Sequence, residues 1–278
     1  MTPPELDVKT WLSFSSIAAA ISVFGTLTGL VLKEHLFTRS FERWKQKQTL
    51  NQIYQKFRDP LLLSARDLSS RTVEILNQYP TVYLNEHVLT SHPQKQIKNN
   101  ISDPYFQRYK LISTAYRLSA LLSWVELYRQ EITFLHPGNN KSAETLEKAV
   151  ENIRSDLADG QLNKADNWAN WKDILIFREE LRAIGESLIE TRGSNRTVMG
   201  YGRYCEQLEA DSVNSVQQWA TPVFNFFLEL EVSGTDFRHV RLKRLLVHVV
   251  DLMRLLDDKK IDCFLEEKYQ EIFHEANA

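Results

Sequence analysis

The residues best suited to bind a small ligand lie in the segment Arg192–Tyr204, RGSNRTVMGYGRY. Two glycines precede a predicted helix, where backbone amides can turn toward an anion, and three arginines supply positive charge. A phosphate- or nucleotide-bearing ligand fits this chemistry. The alternative is a helix that ends at Gly193 followed by a flexible turn, since no strand precedes the segment. The candidate residues are Arg192, Arg196, Gly200, Gly202 and Arg203.

A second set of polar residues lies in Phe177–Glu186, FREELRAIGE. Arg178, Arg182 and Glu186 follow one another at intervals of four, so they share one face of a helix. Such a set near the centre of a bundle favours polar-ligand binding or acid–base chemistry, and a row of salt bridges is the alternative. Gly185 predicts close packing of this helix on another, because glycine otherwise weakens a helix.

A third candidate is the basic segment Phe237–Leu246. Its cations would contact anionic lipid headgroups if a bilayer is near, and an exposed basic helix face is the alternative. The four basic residues are Arg238, Arg241, Lys243 and Arg244.

Several functional classes lack their motifs. The seven histidines form no pair on one helix face and no Glu-x-x-His set, so neither a metal site nor a cofactor is predicted. Walker loops, nucleophile elbows and kinase motifs are missing, which removes the common enzymes. Cys205 and Cys263 have no CxxC spacing and are typical of reduced cytoplasmic thiols.

The rest of the chain is organised around the apolar segment Thr10–Leu32. This segment has 23 residues and contains no Asp, Glu, Lys or Arg. A helix of that length reaches roughly 34 Å, enough to cross a hydrocarbon core of about 30 Å. A cleaved signal peptide is disfavoured, because the leader carries Glu5 and Asp7 and no cleavage pattern follows. A soluble core helix is the remaining alternative, and it would bury Phe14, Ile21 and Leu27.

The flanks of this segment predict its orientation. Five basic residues lie within 33–47, against one in the first nine residues. Basic flanks stay in the cytoplasm, so the N-terminus should lie outside and the body inside, in a single-pass protein of the cell membrane. Interfacial aromatic anchors are expected at Trp11 on one side, and on the other at Phe37, Phe41 and Trp44.

Small residues recur on one face of the predicted span, where they would let two helix backbones approach in lipid. Self-association is therefore a hypothesis, although a single GxxxG is common by chance. The face consists of Ala18, Ser22, Gly25 and Gly29.

The remaining chain predicts an all-α fold, an antiparallel bundle of about six to eight helices, because no stretch alternates at period two. The span should continue without a break into a juxtamembrane helix, and Asp59-Pro60 should end that helix and begin the next. A surface loop is predicted over 79–101 and a short connector over 163–171. The longest apolar-periodic segment of the body, 104–136, should be its central helix. The other predicted helices are 60–78, 142–159, 172–191, 204–220, 222–232, 235–256 and 260–276. The predicted organisation is a short outer N-terminus (1–9), the span (10–32), the juxtamembrane helix (33–58) and the cytoplasmic domain (59–278). The net charge of −2 over the whole chain argues against a dedicated nucleic-acid binder.

Three stretches resemble a recurring pattern in uncharacterised bacterial proteins with an N-terminal span and an all-helical cytoplasmic body. The resemblance covers much of the chain and implies architecture, with the first two stretches in the core of the bundle. It implies no activity. The stretches are FRDPLLLSARDLSSRTVEILN (57–77), STAYRLSALLSWVELYRQEITFL (113–135) and FREELRAIGE (177–186).

Three functional hypotheses follow. The first is a membrane-anchored scaffold or sensor that acts by binding a protein partner. The second is a ligand-gated membrane effector, of a bacterial stress or defence type, whose body binds a small anionic ligand or nucleotide. The third is an enzyme with an unfamiliar Arg/Glu site.

Overall fold

The computed structural model describes residues 8–33, 38–78, 84, 103–132, 141–158, 174–230, 236–257 and 270. Within these residues the protein has eight α-helices and one antiparallel β-hairpin, so the fold is mostly helical, as predicted. By contacts between residues, 1–52 and 53–278 form two compact units. The elements are α1 (Val8–Leu32), α2 (Arg39–Gln78), α3 (Asp103–Ile132), α4 (Lys141–Ala158), α5 (Arg178–Ser187), β1 (Ile189–Arg192), β2 (Asn195–Val198), α6 (Tyr201–Leu208), α7 (Ser215–Phe227) and α8 (Phe237–Leu256).

Helix α1 exposes its apolar side chains. Phe14, Ile21 and Leu27 are 66%, 67% and 56% exposed, so they do not form a soluble core. The window Leu12–Leu30 is long and apolar enough to cross a membrane, and none of it is buried. The predicted continuity with the next helix falls on residues 34–37, which lie outside the described part of the chain.

Helix α2 runs through Pro60, so the predicted break at Asp59-Pro60 is wrong. Proline inside a helix removes one hydrogen bond and crowds the preceding turn, at a cost of about 3 kcal/mol. Phe57 and Leu61 on either side are 2% and 0% exposed. Their burial holds the helix together across the proline.

Helix α3 is the centre of the second unit. Leu111, Ala115 and Leu118 have no exposed surface. The helix packs against α5, α6, α7 and β2, while α4 packs against α8 and α5. Within the described part of the chain, the apolar residues of this segment therefore meet several neighbouring elements.

The hairpin was not predicted. The helix expected to reach Thr191 ends at Ser187, and strands β1 and β2 pair with Ile189 opposite Val198. Gly193 has a φ of +63°, which glycine adopts without strain, and it begins the two-residue turn with Ser194. The sequence contains one indication of a hairpin, Gly-Ser between two stretches with β-branched residues. Each stretch is too short to show an alternating pattern.

A loop separates α6 from α7. The sequence predicted one helix over Tyr204–Ala220, whereas α6 ends at Leu208 and α7 begins at Ser215. Asn214 caps α7: its Oδ1 accepts from Gln217 N at 3.0 Å, and Gln217 Oε1 accepts from Asn214 N at 3.2 Å. This reciprocal pair satisfies two amides at the helix start. Helix α7 then continues through Pro222.

Some predicted features lie outside the described residues. They are the anchor Phe37, the loop 79–101 apart from Leu84, the connector 163–171, the final helix 260–276 apart from Gln270, and Cys263.

Candidate functional site

A cluster of charged and tyrosine side chains joins α2 to α3 and to the beginning of α6. Arg71 is its centre and is only 3% exposed. Its Nη1 donates to Thr114 Oγ1 and its Nη2 to Ser113 Oγ, both at 3.2 Å, so the guanidinium ties α2 to α3. We name this the basic–tyrosine cluster; its members are Arg71, Glu74, Tyr109, Lys110, Tyr116, Arg117 and Tyr201.

Glu74 contacts two of the cations. Its Oε2 lies 3.3 Å from Arg71 Nε, and its Oε1 is in contact with Lys110 Nζ. Arg71 Nε is nevertheless buried without forming a hydrogen bond to a described residue. Arg117 Nη1 donates to the backbone carbonyl of Asp67 at 3.0 Å. The cations are thus held partly by hydroxyl and backbone oxygens.

The three cations lie close enough to repel one another. Burial, and then the charge of Arg117, lowers the pKa of Arg71 to about 10. Burial, and then the charges of Arg71 and Arg117, lowers the pKa of Lys110 to about 8. The Glu74 carboxylate, which contacts both Arg71 and Lys110, offsets part of this repulsion.

Tyrosines form the wall of the cluster. The Tyr201 ring packs edge-on against Tyr116 and Tyr109, with centroids 5.4 Å and 6.3 Å away. Arg71 Cζ lies 5.9 Å from the centroid of Tyr109, and Tyr116 Oη donates to the Met199 carbonyl at 3.0 Å. Through Tyr201, the segment that the sequence singled out for anion binding reaches the cluster.

The predicted anion-binding arginines are distributed differently from the expectation. Arg192 Nη2 lies 3.1 Å from Glu190 Oε2, and Arg203 Nε lies 3.4 Å from Glu190 Oε1. The structure therefore brings these two together on one carboxylate. Arg196 is exposed on β2 and is not part of this pair.

The two glycines of the predicted site are exposed. Gly200 is the N-cap of α6, and Gly202 lies in its first turn. A Cβ atom built at either position would meet no other atom within 4 Å. Neither glycine is required by a close neighbour in the described structure.

The predicted Arg/Glu set forms interhelical salt bridges, which was its stated alternative. Arg182 Nε lies 3.1 Å from Glu186 Oε1 and 3.5 Å from Oε1 of Glu126 on α3, whose side chain is 7% exposed. Arg178 instead pairs with Glu151 on α4 and donates to Ser155 Oγ at 3.1 Å. The set is thus divided between two neighbouring helices.

Gly185 confirms the predicted close packing. A Cβ atom at this position would lie 2.8 Å from the Leu122 carbonyl oxygen and 3.2 Å from Glu126 Cβ. The backbones of α5 and α3 approach too closely here for any larger residue. The same contact places Glu126 beside Arg182.

Two of the four basic residues on α8, Arg238 and Arg241, are buried, so the predicted lipid contact is wrong for these two. Arg238 is 8% exposed, pairs with Asp236 Oδ2 at 2.9 Å, and donates to carbonyls at the end of α7. Arg241 is 1% exposed. The carbonyls that accept from Arg238 belong to Asn225, Phe226, Leu228 and Glu229.

Arg241 belongs to a polar group that spacing alone does not reveal. Its Nη1 donates to the Asp156 carbonyl at 2.6 Å, and His248 Nδ1 lies 2.5 Å from Asp156 Oδ2. The Asp156 side chain is 2% exposed and that of His248 is 25% exposed. Residues from α4 and α8 meet here only because the helices pack.

Among the described residues, no three His, Cys, Asp or Glu side chains come together as a metal site. Cys205 is a free, partly buried thiol, and burial raises its pKa.

Comparison with known protein families, curated proteins and solved structures gives no match for this chain. The resemblance seen in the sequence stays a prediction about architecture.

Proposed function

We propose that this is a single-pass membrane protein whose helical body acts by binding, as a scaffold or sensor at the membrane. The observation that carries the proposal is α1: every side chain from Leu12 to Leu30 is exposed in a helix of spanning length. Exposed apolar surface of this extent is unfavourable in water and favourable in lipid.

The hydroxyl groups of α1 support the proposal. Thr26 Oγ1 donates to the Ser22 carbonyl at 2.7 Å, and Thr28 Oγ1 to the Phe24 carbonyl at 2.6 Å. Ser16 Oγ donates to the Leu12 carbonyl at 2.8 Å. Hydroxyls bonded within their own helix lower the cost of placing serine and threonine in hydrocarbon.

The beginning of α2 supports an interface on the cytoplasmic side. Phe41 and Trp44 are 61% and 56% exposed, and their rings stack with centroids 5.9 Å apart. Aromatic rings of this kind sit at headgroup level, and the nearby Arg43, Lys45 and Lys47 favour the cytoplasmic leaflet. The N-terminus would then lie outside the cell.

Self-association through α1 remains part of the proposal. Gly25 and Gly29 are open: a Cβ atom at either would meet no other atom within 4 Å. Together with Ala18 and Ser22 they leave a flat helix face on which a second copy can pack closely.

The ion pairs made by the candidate carboxylates favour a binding function over catalysis. The carboxylates of Glu126 and Glu186 are both in contact with Arg182, and Glu151 is in contact with Arg178. Carboxylates held by arginines serve the fold more readily than proton transfer.

Alkaline carbonate extraction of membranes tests the anchor. The wild type should stay in the pellet, and Ile21→Arg with Phe24→Arg should move to the supernatant, because each arginine costs about 2.5–3.5 kcal/mol at the centre of a span. Leu63→Arg is the control, since Leu63 is 60% exposed but lies in the body. Wild-type protein in the supernatant would sink the proposal.

Two further measurements test the arrangement in the membrane. A reporter that is active only outside the cytoplasm should be active when fused to the N-terminus and inactive at the C-terminus. The intact mass should include residues 1–32; a mature chain that begins beyond Leu32 would identify a signal sequence instead.

A further inference from the structure

A cavity lies between the beginning of α5 and helix α7. Its volume is about 380 Å³, which is within the usual range of small-molecule sites, and the two helices beside it pack against each other. We name it the α5–α7 cavity. The polar and aromatic residues that line it are Phe177, Glu180, Gln218, Trp219, Thr221 and Asn225.

Glu180 gives the cavity a negative charge. One oxygen of its half-buried side chain, Oε2, accepts from the Phe177 amide at 2.9 Å and so satisfies a donor at the start of α5. Among the described residues no cation pairs with this carboxylate, and the neighbouring Arg178 is in contact with Glu151 on α4. A carboxylate with a single donor can accept several more hydrogen bonds.

Pro222 removes a hydrogen bond from the wall of the cavity. In an α-helix the amide of residue 222 would donate to the carbonyl of Gln218, four residues earlier, and proline has no N–H. The Gln218 carbonyl therefore lacks its usual helical donor. Both residues line the α5–α7 cavity, so a backbone acceptor stands at its wall beside the carboxylate of Glu180.

Two aromatic side chains complete the lining. Trp219 is half-buried and packs against the core, whereas Phe177 is 43% exposed. Phe177 is also the N-cap of α5, a position that favours Ser, Thr, Asp and Asn, and it makes no side-chain capping bond. A phenylalanine at an N-cap and a proline inside a helix both break local rules, and such departures are expected at functional sites.

We propose that the α5–α7 cavity binds a small organic amine in its protonated form, through the Glu180 carboxylate and the Gln218 carbonyl. The apolar part of the amine would lie against Trp219 and Phe177, whose ring faces attract a cation. This site lies in the second unit, and its occupation does not depend on how α1 is anchored.

The charges around the cavity favour a cation over an anion. The first turn of α5 carries two carboxylates, Glu179 and Glu180, and none of the described residues that line the cavity is basic. The two acceptors also require N–H donors. A primary ammonium has three, and a quaternary ammonium has none, so the primary amine is the better match.

The test is a titration of the full-length protein in an uncharged detergent at pH 7, with phenethylamine as the ligand and calorimetry as the measurement. The wild type should bind this amine saturably, with a Kd in the millimolar range or below. Glu180→Gln should weaken binding roughly tenfold or more, the effect of one lost charge-assisted hydrogen bond. Glutamine can still accept from the Phe177 amide, so the helix start is preserved.

Glu179→Gln is the matched control. This residue lies in the same helical turn and is exposed, but it does not line the cavity. The variant loses the same charge and should bind phenethylamine as the wild type does. Micelles take up the amine equally in all these samples, so differences between the variants report on the protein.

Phe177→Ser tests the aromatic contact. It should weaken binding about two- to fivefold, the effect of one exposed cation–π contact. Serine is favoured at an N-cap, so Tm should not fall, and loss of folding then cannot explain the weaker binding.

Ligands of the same size identify the group that is recognised. 2-Phenylethanol, which replaces the ammonium with a hydroxyl, and the trimethylated amine, which has no N–H, should both bind more weakly than phenethylamine. A partner's lysine is a second source of a primary ammonium, and Nα-acetyl-lysine amide represents it. Whichever of the two amines binds more tightly, with its affinity lost in Glu180→Gln, identifies the source.

Three results would overturn the proposal. They are the absence of saturable binding of both amines by the wild type, equal affinities in Glu180→Gln and Glu179→Gln, and binding of 2-phenylethanol as tight as that of phenethylamine. None of these results concerns the membrane anchor.

Discussion

Arginine and glycine occur in two regions of this protein with opposite consequences. In the hairpin region, 189–204, they lie at the surface: Arg192 and Arg203 are 67% and 57% exposed, and the glycines have no close neighbour. Between the helices, Arg71 and Arg238 are buried, and Gly185 touches a facing backbone. The same residue types are thus exposed in one place and structural in the other, because burial fixes their geometry.

The largest expected loss of stability distinguishes an arginine buried between the helices from one exposed in the hairpin region. Arg238→Met should lower the free energy of unfolding by about 3–5 kcal/mol, because it leaves Asp236 and the carbonyls at the end of α7 without their donor. Arg203→Met should cost less than about 1 kcal/mol, since exposed ion pairs contribute little. Urea denaturation of the detergent-solubilised protein measures both. Equal losses in the two variants would remove the distinction.

Replacing a glycine by alanine should change stability in opposite directions in the two regions, by an intermediate amount. Gly185→Ala should destabilise the protein by about 1–3 kcal/mol, because the new methyl group would clash with the Leu122 carbonyl. Gly202→Ala, in the open first turn of α6, should be neutral or should stabilise by about 0.4–1 kcal/mol. Thermal melting of both variants provides the measurement. A stabilising Gly185→Ala would show that α3 and α5 separate easily.

Lys110 makes the stability of the protein depend on pH. Burial, and then the charges of Arg71 and Arg117, lowers its pKa to about 8 in the folded protein, so the unfolded chain binds the proton more tightly. The free energy of unfolding should therefore rise between about pH 8 and 10.5 in the wild type, relative to Lys110→Met. Denaturation in chloride buffers across this range checks the sign. Parallel pH profiles for the two proteins would contradict the crowding of charges in the basic–tyrosine cluster.

Helix positions could be predicted where burial and local pattern agree. Leu111, Ala115 and Leu118 recur at helical spacing and all face the core, so α3 was predicted as the central helix. Gly185 was predicted to lie at a close helix contact, because glycine otherwise weakens a helix. The continuation of α2 through Pro60 was not predicted, because the burial of Phe57 and Leu61 outweighs the cost of the proline. The hairpin was not predicted, because strands of four residues are too short to show an alternating pattern.

The site could be predicted only in part. Arg192–Tyr204 was selected for its glycines and arginines, yet its link to the basic–tyrosine cluster is Tyr201, which the pattern did not mark. Arg71, Lys110 and Tyr201 are separated by 39 and 91 residues along the chain, so no motif spacing connects them. His248 and Asp156 were missed for the same reason.

The sequence alone determined a charge-free apolar segment of spanning length and a mostly helical body, because both follow from local composition and period. Tertiary structure decided which cations are buried, which carboxylates they meet, and whether a glycine lies against another backbone. Those properties depend on contacts between residues far apart in the chain. Electrostatic energy follows from distance and burial, and neither can be read from residue types in order.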